Sequence, residues 1–140
     1  MVYRAMEAAD YDNVLALWES AGGDGVRVDL TVDSREAIEG FLARGPGLSQ
    51  VCEVDGRIIG TALCGQDGRR GYLYHIVVSP ECRRRGVATE LIGRSLDKLR
   101  EEGIVKCHLF VFRTNERAAL FYEGTGWTRR DDLTVYSMGL

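Results

Sequence analysis

A mixed α+β fold, a largely antiparallel sheet flanked by helices, is predicted for this chain of 140 residues by three observations. Apolar periodicities follow the order β-α-α-β-β-β-α-β-α-β-β, with strands grouped in the middle and helices set around them. Two short apolar runs, SQVCEV and RIIGTALC, are joined by Asp55-Gly56, a dipeptide favoured in two-residue hairpins. Over residues 87–102, Val87, Leu91, Ile92, Leu96 and Leu99 fall on one stripe of a helix, a face suited to packing on a sheet.

Taken in order, alternation over residues 2–6 (VYRAM) predicts a first strand. Asp10 is expected to cap a helix whose Val14, Leu15, Leu17 and Trp18 share one stripe. AGGDGVRVDL has no regular period and reads as a Gly-rich acidic loop. Asp33 and Glu36 have the spacing of a capping box, and a helix over 34–44 is expected to stop at Gly45-Pro46. After the Asp55-Gly56 hairpin, GQDGRRG makes a second turn and YLYHIVV a central strand that ends at Ser79-Pro80. VKCHLFVF is the next strand, NERAALFYEGTGW a short helix capped by Asn115, and TVYSM a last strand.

Composition sets the outer limits. An apolar content of 45% supports one packed core, and the length is too short for two ordinary ones, so residues 1–140 are expected to form a single domain. No run approaches the ~18–20 apolar residues of a membrane span. The opening MVYRAMEAAD lacks the apolar core of a secretory signal, which predicts a cytoplasmic protein with no membrane partner. Cys52, Cys64, Cys82 and Cys107 stand apart with no CxxC pair, which argues for reduced thiols and against a metal site. The net charge of −3 hides an asymmetry: 11 acids against 5 arginines in residues 1–60, and 10 acids against 13 bases in residues 61–140. The acidic total and the presence of only two lysines argue against nucleic acid. No GxxxxGK[ST] stretch is present, so a P-loop nucleotide site is excluded.

Within the basic half, Arg83-Arg84-Arg85-Gly86-Val87-Ala88 lies between a strand and a long helix. A helix N-terminus offers unpaired N–H groups and a partial positive charge to an anion. Gly86 and the small Ala88 let the backbone come close to it, and arginine adds forked donors for phosphate oxygens. The alternative is a plain surface turn with three solvated arginines.

R-x-x-G-x-A in this setting, followed about 30 residues on by NERAALFYEGTGW, resembles the GNAT superfamily of acetyl-CoA-dependent N-acetyltransferases, and in particular small bacterial members near the ribosomal-protein-alanine type. The likeness is clear over residues 49–138 and looser, in the order of elements, before that. It implies that acetyl-CoA is the acetyl donor and that its pyrophosphate is held by the backbone of Arg84, Arg85, Gly86, Val87 and Ala88. Arg83 either joins them or braces the loop. It also implies that the strand end at Ile76, Val77 and Val78 splays from its neighbour and pairs with the pantetheine and the acetyl carbonyl, a form of strand addition. Asn115 either reaches toward the cofactor or only caps its helix. Tyr122 matches the tyrosine beside the thioester sulfur, where a phenol of pKa ~10 stays protonated and can serve the departing thiolate as general acid. Phe121 is then the core member of the aromatic pair.

The general base does not carry over. Relatives place a Glu or His on the central strand or a Glu on the next; here those positions hold Tyr72, Tyr74 and Phe110. His75 is a candidate base, but strand alternation puts it on the opposite face from Tyr72, Tyr74 and Ile76, where it is expected to pack under a helix. Asp67 and Glu53 remain as carboxylates able to act through water. A site without a strong base suits an amine that is easily neutralised, an α-amino group or small amine, and the acidic residues Asp24, Asp29, Asp33, Glu36 and Glu39 are expected to attract such a cation. The expected function is direct acetyl transfer from acetyl-CoA to a primary amine, by a monomer or homodimer. The alternative is a non-catalytic acyl-CoA sensor.

Overall fold

The computed structural model describes residues 1–21 and 26–140. Strand β1 (Val2–Ala5) leads through a 3-10 turn (Ala8–Asp10) into α1 (Tyr11–Ala21). After the undescribed residues 22–25 come a single turn of helix, α2 (Leu30–Asp33), and α3 (Arg35–Arg44). A meander follows, β2 (Gln50–Val54), β3 (Arg57–Gln66) and β4 (Gly71–Val78), and then α4 (Val87–Glu101), β5 (Cys107–Leu109) and α5 (Glu116–Gly124). The sheet order is β1-β2-β3-β4-β5, antiparallel up to β4 and parallel between β4 and β5.

The local chemistry explains most of these elements. Asp55 (φ 50°) and Gly56 (φ 75°) both take the left-handed conformation that a two-residue hairpin twisted with its strands requires. On one face of the sheet α1 and α3 bury Val14, Leu17, Trp18 and Ile38 against Val51, Leu63 and Val77. On the other, α4 sets Val87 and Leu91 on Cys52, Ile59 and Ala62, and Ile92 and Leu99 on Leu48, Cys64 and Leu73. The two α4 clusters draw on the stripe read from the sequence.

Two caps differ from expectation. Asp10 does not cap α1; its carboxylate closes the 3-10 turn by accepting the Glu7 N–H (2.8 Å) and a bidentate pair of bonds from the Arg4 guanidinium (2.8 Å each). Ser34, not Asp33, caps α3 by accepting from the Ala37 N–H (3.2 Å). Asp33 is buried and turned inward.

The fold class and the order of elements follow the expectation from β1 through α5. Residues 134–138, expected as a last strand, lie outside the sheet. Val135, Tyr136 and Met138 are exposed there, and a β-prone segment with no face to bury gains too little to hold a ladder. The strand expected over VKCHLFVF is only three residues long, because its pairing with β4 ends at Leu73↔Leu109.

Arg4 and its hydrogen bonds hold the Asp10 carboxyl below the usual carboxylate range. A carboxyl depressed in the folded state stabilises it above the unfolded value and loses that contribution as pH falls through the folded one. Asp10→Asn is therefore expected to cost about 1.5–3 kcal/mol at pH 7, the range for hydrogen bonds to a charged group. Urea unfolding should show that gap narrowing as pH drops below ~4, where the native carboxyl also protonates.

Candidate active site

At the end of β4 the chain passes through Ser79 and a 3-10 turn (Pro80–Cys82) into the three arginines. Arg84 (φ 63°) and Gly86 (φ 77°) are both left-handed, which folds the loop tightly before α4. For Arg84 that conformation is unfavourable by about 1–2 kcal/mol; for Gly86 it costs little. The helix's first bond runs from the Glu90 N–H to the Gly86 carbonyl (3.0 Å). The N–H groups of Val87, Ala88 and Thr89 therefore stand ahead of the ladder, and Gly86 supplies no side chain to cap them. A Cβ added to Gly86 would meet no protein atom within 4 Å, so the space in front of this helix end is open.

The arginines divide their work. Arg83 Nε donates to the Val78 carbonyl (3.2 Å) and Nη2 to the Ala21 carbonyl (3.4 Å), tying the loop to the ends of β4 and α1. Arg84 is exposed and lines a cleft of about 970 Å³ together with Gly86, Val87 and Ala88. Arg85 is exposed too, but it is not part of the lining.

From the loop the cleft runs along Val78, Val77 and Ile76 to Asn115 and Tyr122. It opens there because β4 pairs with β5 only from Gly71 to Leu73. Past that point the strands diverge, and Val77 and Val78 have β3 as ladder partner on one side alone, with Ile76 in the irregularity just before them. Asn115 Oδ1 accepts from the Ala118 N–H (3.1 Å), so this side chain does cap α5 while bordering the cleft. Tyr122 packs edge-on against Trp127 (5.9 Å between centroids) and Phe121 (5.2 Å). Burial pushes its phenol up to about 12. Phe121 also borders the cleft, so the aromatic pair is not split cleanly into a core and a site member.

A second, smaller hollow of about 240 Å³ continues from Ile76, Asn115 and Tyr122 toward Tyr74, His75, Phe110 and Phe112. Arg27 closes over it, its guanidinium 4.2 Å from the centre of the Phe112 ring. No Asp or Glu is among its described lining residues. Asp67 is engaged in its own turn, accepting from the Arg69 and Arg70 N–H groups (2.8 Å each), which hold its carboxyl low. Glu53 sits beside Arg4 (3.5 Å). Of the expected acidic attractors, Asp24 lies outside the described residues, and Asp29 caps α2 by accepting from the Thr31 N–H (3.0 Å). Glu36 and Glu39 are exposed on α3. Neither they nor Asp29 and Asp33 border the hollow.

His75 requires a correction. The β3–β4 register passes from Thr61↔Val77 to Leu63↔Tyr74, so His75 and Ile76 together oppose Ala62. His75 (φ 46°) takes up this bulge, and strand alternation fails there. Its ring lies against Trp18 of α1 (4.6 Å), on the side where Tyr74 meets Phe41, not on the opposite face. It is packed under a helix, as expected, yet it also lines the hollow. Nothing in the sequence marks the bulge with a glycine or proline.

Burial raises the Cys64 thiol to about 12 and the Cys107 thiol to about 11, so neither is a thiolate nucleophile at neutral pH. Among the described residues no group of three or more His, Cys, Asp or Glu is placed to hold a metal ion, and no helix is long and apolar enough to cross a membrane.

The profile of the acetyltransferase (GNAT) family matches residues 14–127. An acetyltransferase of Pectobacterium atrosepticum is 36% identical over 138 residues, which is 96% of this chain and 93% of the relative. Among solved structures, the PaiA N-acetyltransferase of Thermoplasma acidophilum in complex with coenzyme A superimposes with a TM-score of 0.78 at 18% identity, covering 93% of this chain and 91% of that one. A ribosomal-protein-alanine N-acetyltransferase of Brucella melitensis gives a TM-score of 0.73 at 23% identity, covering 99% and 98%. At those identities the two structures speak for the fold, while the profile and the closer relative speak for descent. The chain belongs to the acetyltransferase (GNAT) family and is an N-acetyltransferase.

Proposed function

We propose that residues 1–140 act as a single N-acetyltransferase domain that transfers acetyl to a primary amine by direct attack, an α-amino group or a small amine of low pKa. As a member of its family the enzyme takes acetyl-CoA as acetyl donor, which supplies the activated thioester. The observation that carries the reading is one continuous cleft, from the open start of α4, past the free edge at residues 76–78, to Tyr122.

In this reading the N–H groups from Arg84 to Ala88 seat the pyrophosphate, with the dipole of a 15-residue helix behind them. The backbone of Ile76, Val77 and Val78 takes the pantetheine as an added strand, and Asn115 borders the same path. Arg83 serves the site as a brace, its guanidinium being occupied by two carbonyls. Arg85 adds positive charge to the approach. Direct attack needs no covalent intermediate, and Cys64 and Cys107, held protonated and outside the cleft lining, are not placed to form one.

Tyr122 is the group for the leaving sulfur. A phenol at about 12 is protonated throughout the working range. Giving that proton to a thiolate of pKa ~8.5 is uphill by about 3.5 units even with the C–S bond fully broken, so it has to be coupled to proton loss from the attacking nitrogen. Proton return from the newly acylated nitrogen to the phenolic oxygen then balances the step: one N–H is lost, one S–H is formed, and Tyr122 ends as it began. The amine must arrive neutral, since no carboxylate among the described residues lines the hollow beside Tyr122. The same absence supports the second reading, an acyl-CoA sensor without turnover. Consumption of acetyl-CoA across a panel of peptides, amino acids and small amines separates the two, because a sensor binds the ligand and consumes none.

Gly86→Glu places bulk and negative charge on the phosphate seat at a residue with positive φ. Calorimetry on the folded variant should find CoA binding lost, and unchanged affinity would remove the pyrophosphate from this helix end. Tyr122→Phe keeps the ring and should slow turnover by ~10²–10⁴-fold. In the parent enzyme the phenol should impose no alkaline fall in rate below pH ~10, two units under its own value. A loss of under about threefold, with chemistry rate-limiting, would give the sulfur's proton to water or another group.

For the acceptor, an amine of pKa ~8 is neutral in roughly one molecule in ten at pH 7, a lysine side chain in under about one in a thousand. An unblocked, lysine-free peptide should therefore be acetylated faster than its blocked partner carrying one lysine. The reverse order would mean that a strong base serves the site after all.

A further inference from the structure

Asp33 and His75 are 42 residues apart and meet behind the hollow, which His75 lines and Asp33 does not, with His75 Nε2 2.9 Å from Asp33 Oδ1. An ionised carboxylate only accepts, so this ring nitrogen carries the hydrogen. The pair is not an isolated surface contact. The Asp33 side chain is 5% exposed and that of His75 20%. Asp33 is held from two further directions: its Oδ2 accepts the Asp29 N–H (3.0 Å), and its carbonyl accepts the Tyr11 hydroxyl (2.6 Å). The His75 ring abuts Trp18, and the His75 carbonyl accepts from Thr61 Oγ1 (2.9 Å), which in turn accepts the Trp18 indole N–H (2.9 Å). Three elements, α1, α2 and β3, thus converge on one residue of β4.

That residue is the left-handed member of the bulge. A non-glycine residue persists there only when its surroundings over-determine it, and an imidazole anchored at ring and carbonyl meets that condition. The next residue, Ile76, lies at the junction of the cofactor cleft and the hollow and borders both. The direction of its N–H follows from the dihedral angles of the bulge.

We propose that Asp33 and His75 are a positioning pair that fixes the β4 bulge and so aims the Ile76 N–H at the acetyl carbonyl of the donor. This rests on the cofactor path described above and adds to it the device that sets its reacting end. Neither side chain needs to touch the substrate. The pair also couples the segment leading into α2, which borders the hollow through Val26 and Arg27, to the carbonyl-polarising donor. A donor at a carbonyl oxygen is worth ~10²–10³-fold in rate, and a misplacement of about 1 Å costs ~10²-fold.

The test needs no known acceptor. Infrared difference spectra of protein-bound acetyl-CoA labelled with carbon-13 at the carbonyl report how strongly the C=O is polarised. The parent protein should shift the stretch to lower frequency. His75→Ala and Asp33→Ala should bind acetyl-CoA within about threefold of the parent, as their side chains lie off the phosphate seat, yet lose most of that shift. His75→Gln carries an amide N–H near the reach of Nε2 and should restore it. With any amine that proves to be acetylated, kcat should fall about 10²-fold in the alanine variants at little changed KM for acetyl-CoA, and return to within about fivefold in His75→Gln. Circular dichroism and thermal unfolding verify that each variant compared is folded, and His75→Gln carries the test if the alanine variants are not. A carbonyl shift that survives in folded His75→Ala would overturn the proposal. So would a His75→Gln enzyme with the shift restored but turnover still down 10²-fold, an outcome that makes proton transfer by the imidazole the operative role. If the parent protein does not bind acetyl-CoA, the cofactor path fails first and the proposal falls with it.

Discussion

The short parallel contact between β4 and β5 is the constraint on which the rest of the site depends. Three residue pairs hold the strands together, from Gly71↔Cys107 to Leu73↔Leu109. Each further pair would have satisfied backbone groups on both strands and closed the cleft. Because pairing stops, the edge at residues 76–78 faces a cavity, and Tyr122 can approach from α5 on the far side. Backbone donors and acceptors left without a strand need another partner, water or a ligand with amides of its own. The bulge at His75 falls just where the strands part, so the free edge begins with a change of direction.

Electrostatically the cleft is built from fixed partial charges more than from formal ones. Arg83 spends its guanidinium on two carbonyls. The helix end supplies N–H groups whose orientation is set by the backbone, at no cost of ordering long side chains. At the opposite end Tyr122 is desolvated and stays neutral. The arrangement offers polar contacts where a diphosphate is expected and a desolvated, neutral phenol where a thioester is expected.

Much of the fold was legible because its signals are local. The Asp55-Gly56 turn, the stripe on α4 and the Asn115 cap each depend on residues a few positions apart, and each formed as read. The helix cap near residue 34 was displaced by one, since Asp33 found a buried imidazole across the domain while Ser34 served the helix. The bulge was not legible. Strand alternation assumes an unbroken ladder, and no glycine or proline announces the extra residue in YLYHIVV, so alternation alone puts His75 on the wrong face relative to Tyr74. Propensity also overstated the strands at VKCHLFVF and TVYSM, where pairing, and not residue type, decides the outcome. Of the candidate site, Gly86 and Ala88 were expected from type and spacing and Tyr122 from the family resemblance, and all three border the cleft. The separate duties of the three arginines follow from carbonyl positions that only the folded chain creates.

The helix start at Gly86 has a consequence for how such a protein drifts over generations. A seat made of main-chain N–H groups stores its specification in dihedral angles, while the identities of most side chains around it are left open. Exposed positions such as Arg84 and Arg85 can change type while the backbone path is retained, and left-handed Arg84 would even relax on becoming glycine or asparagine. Gly86 is the exception, because any Cβ there works against its φ and would project into the open space in front of the helix. Two such proteins can therefore share a working site while sharing few letters along it, and a comparison of side chains alone will underestimate their kinship.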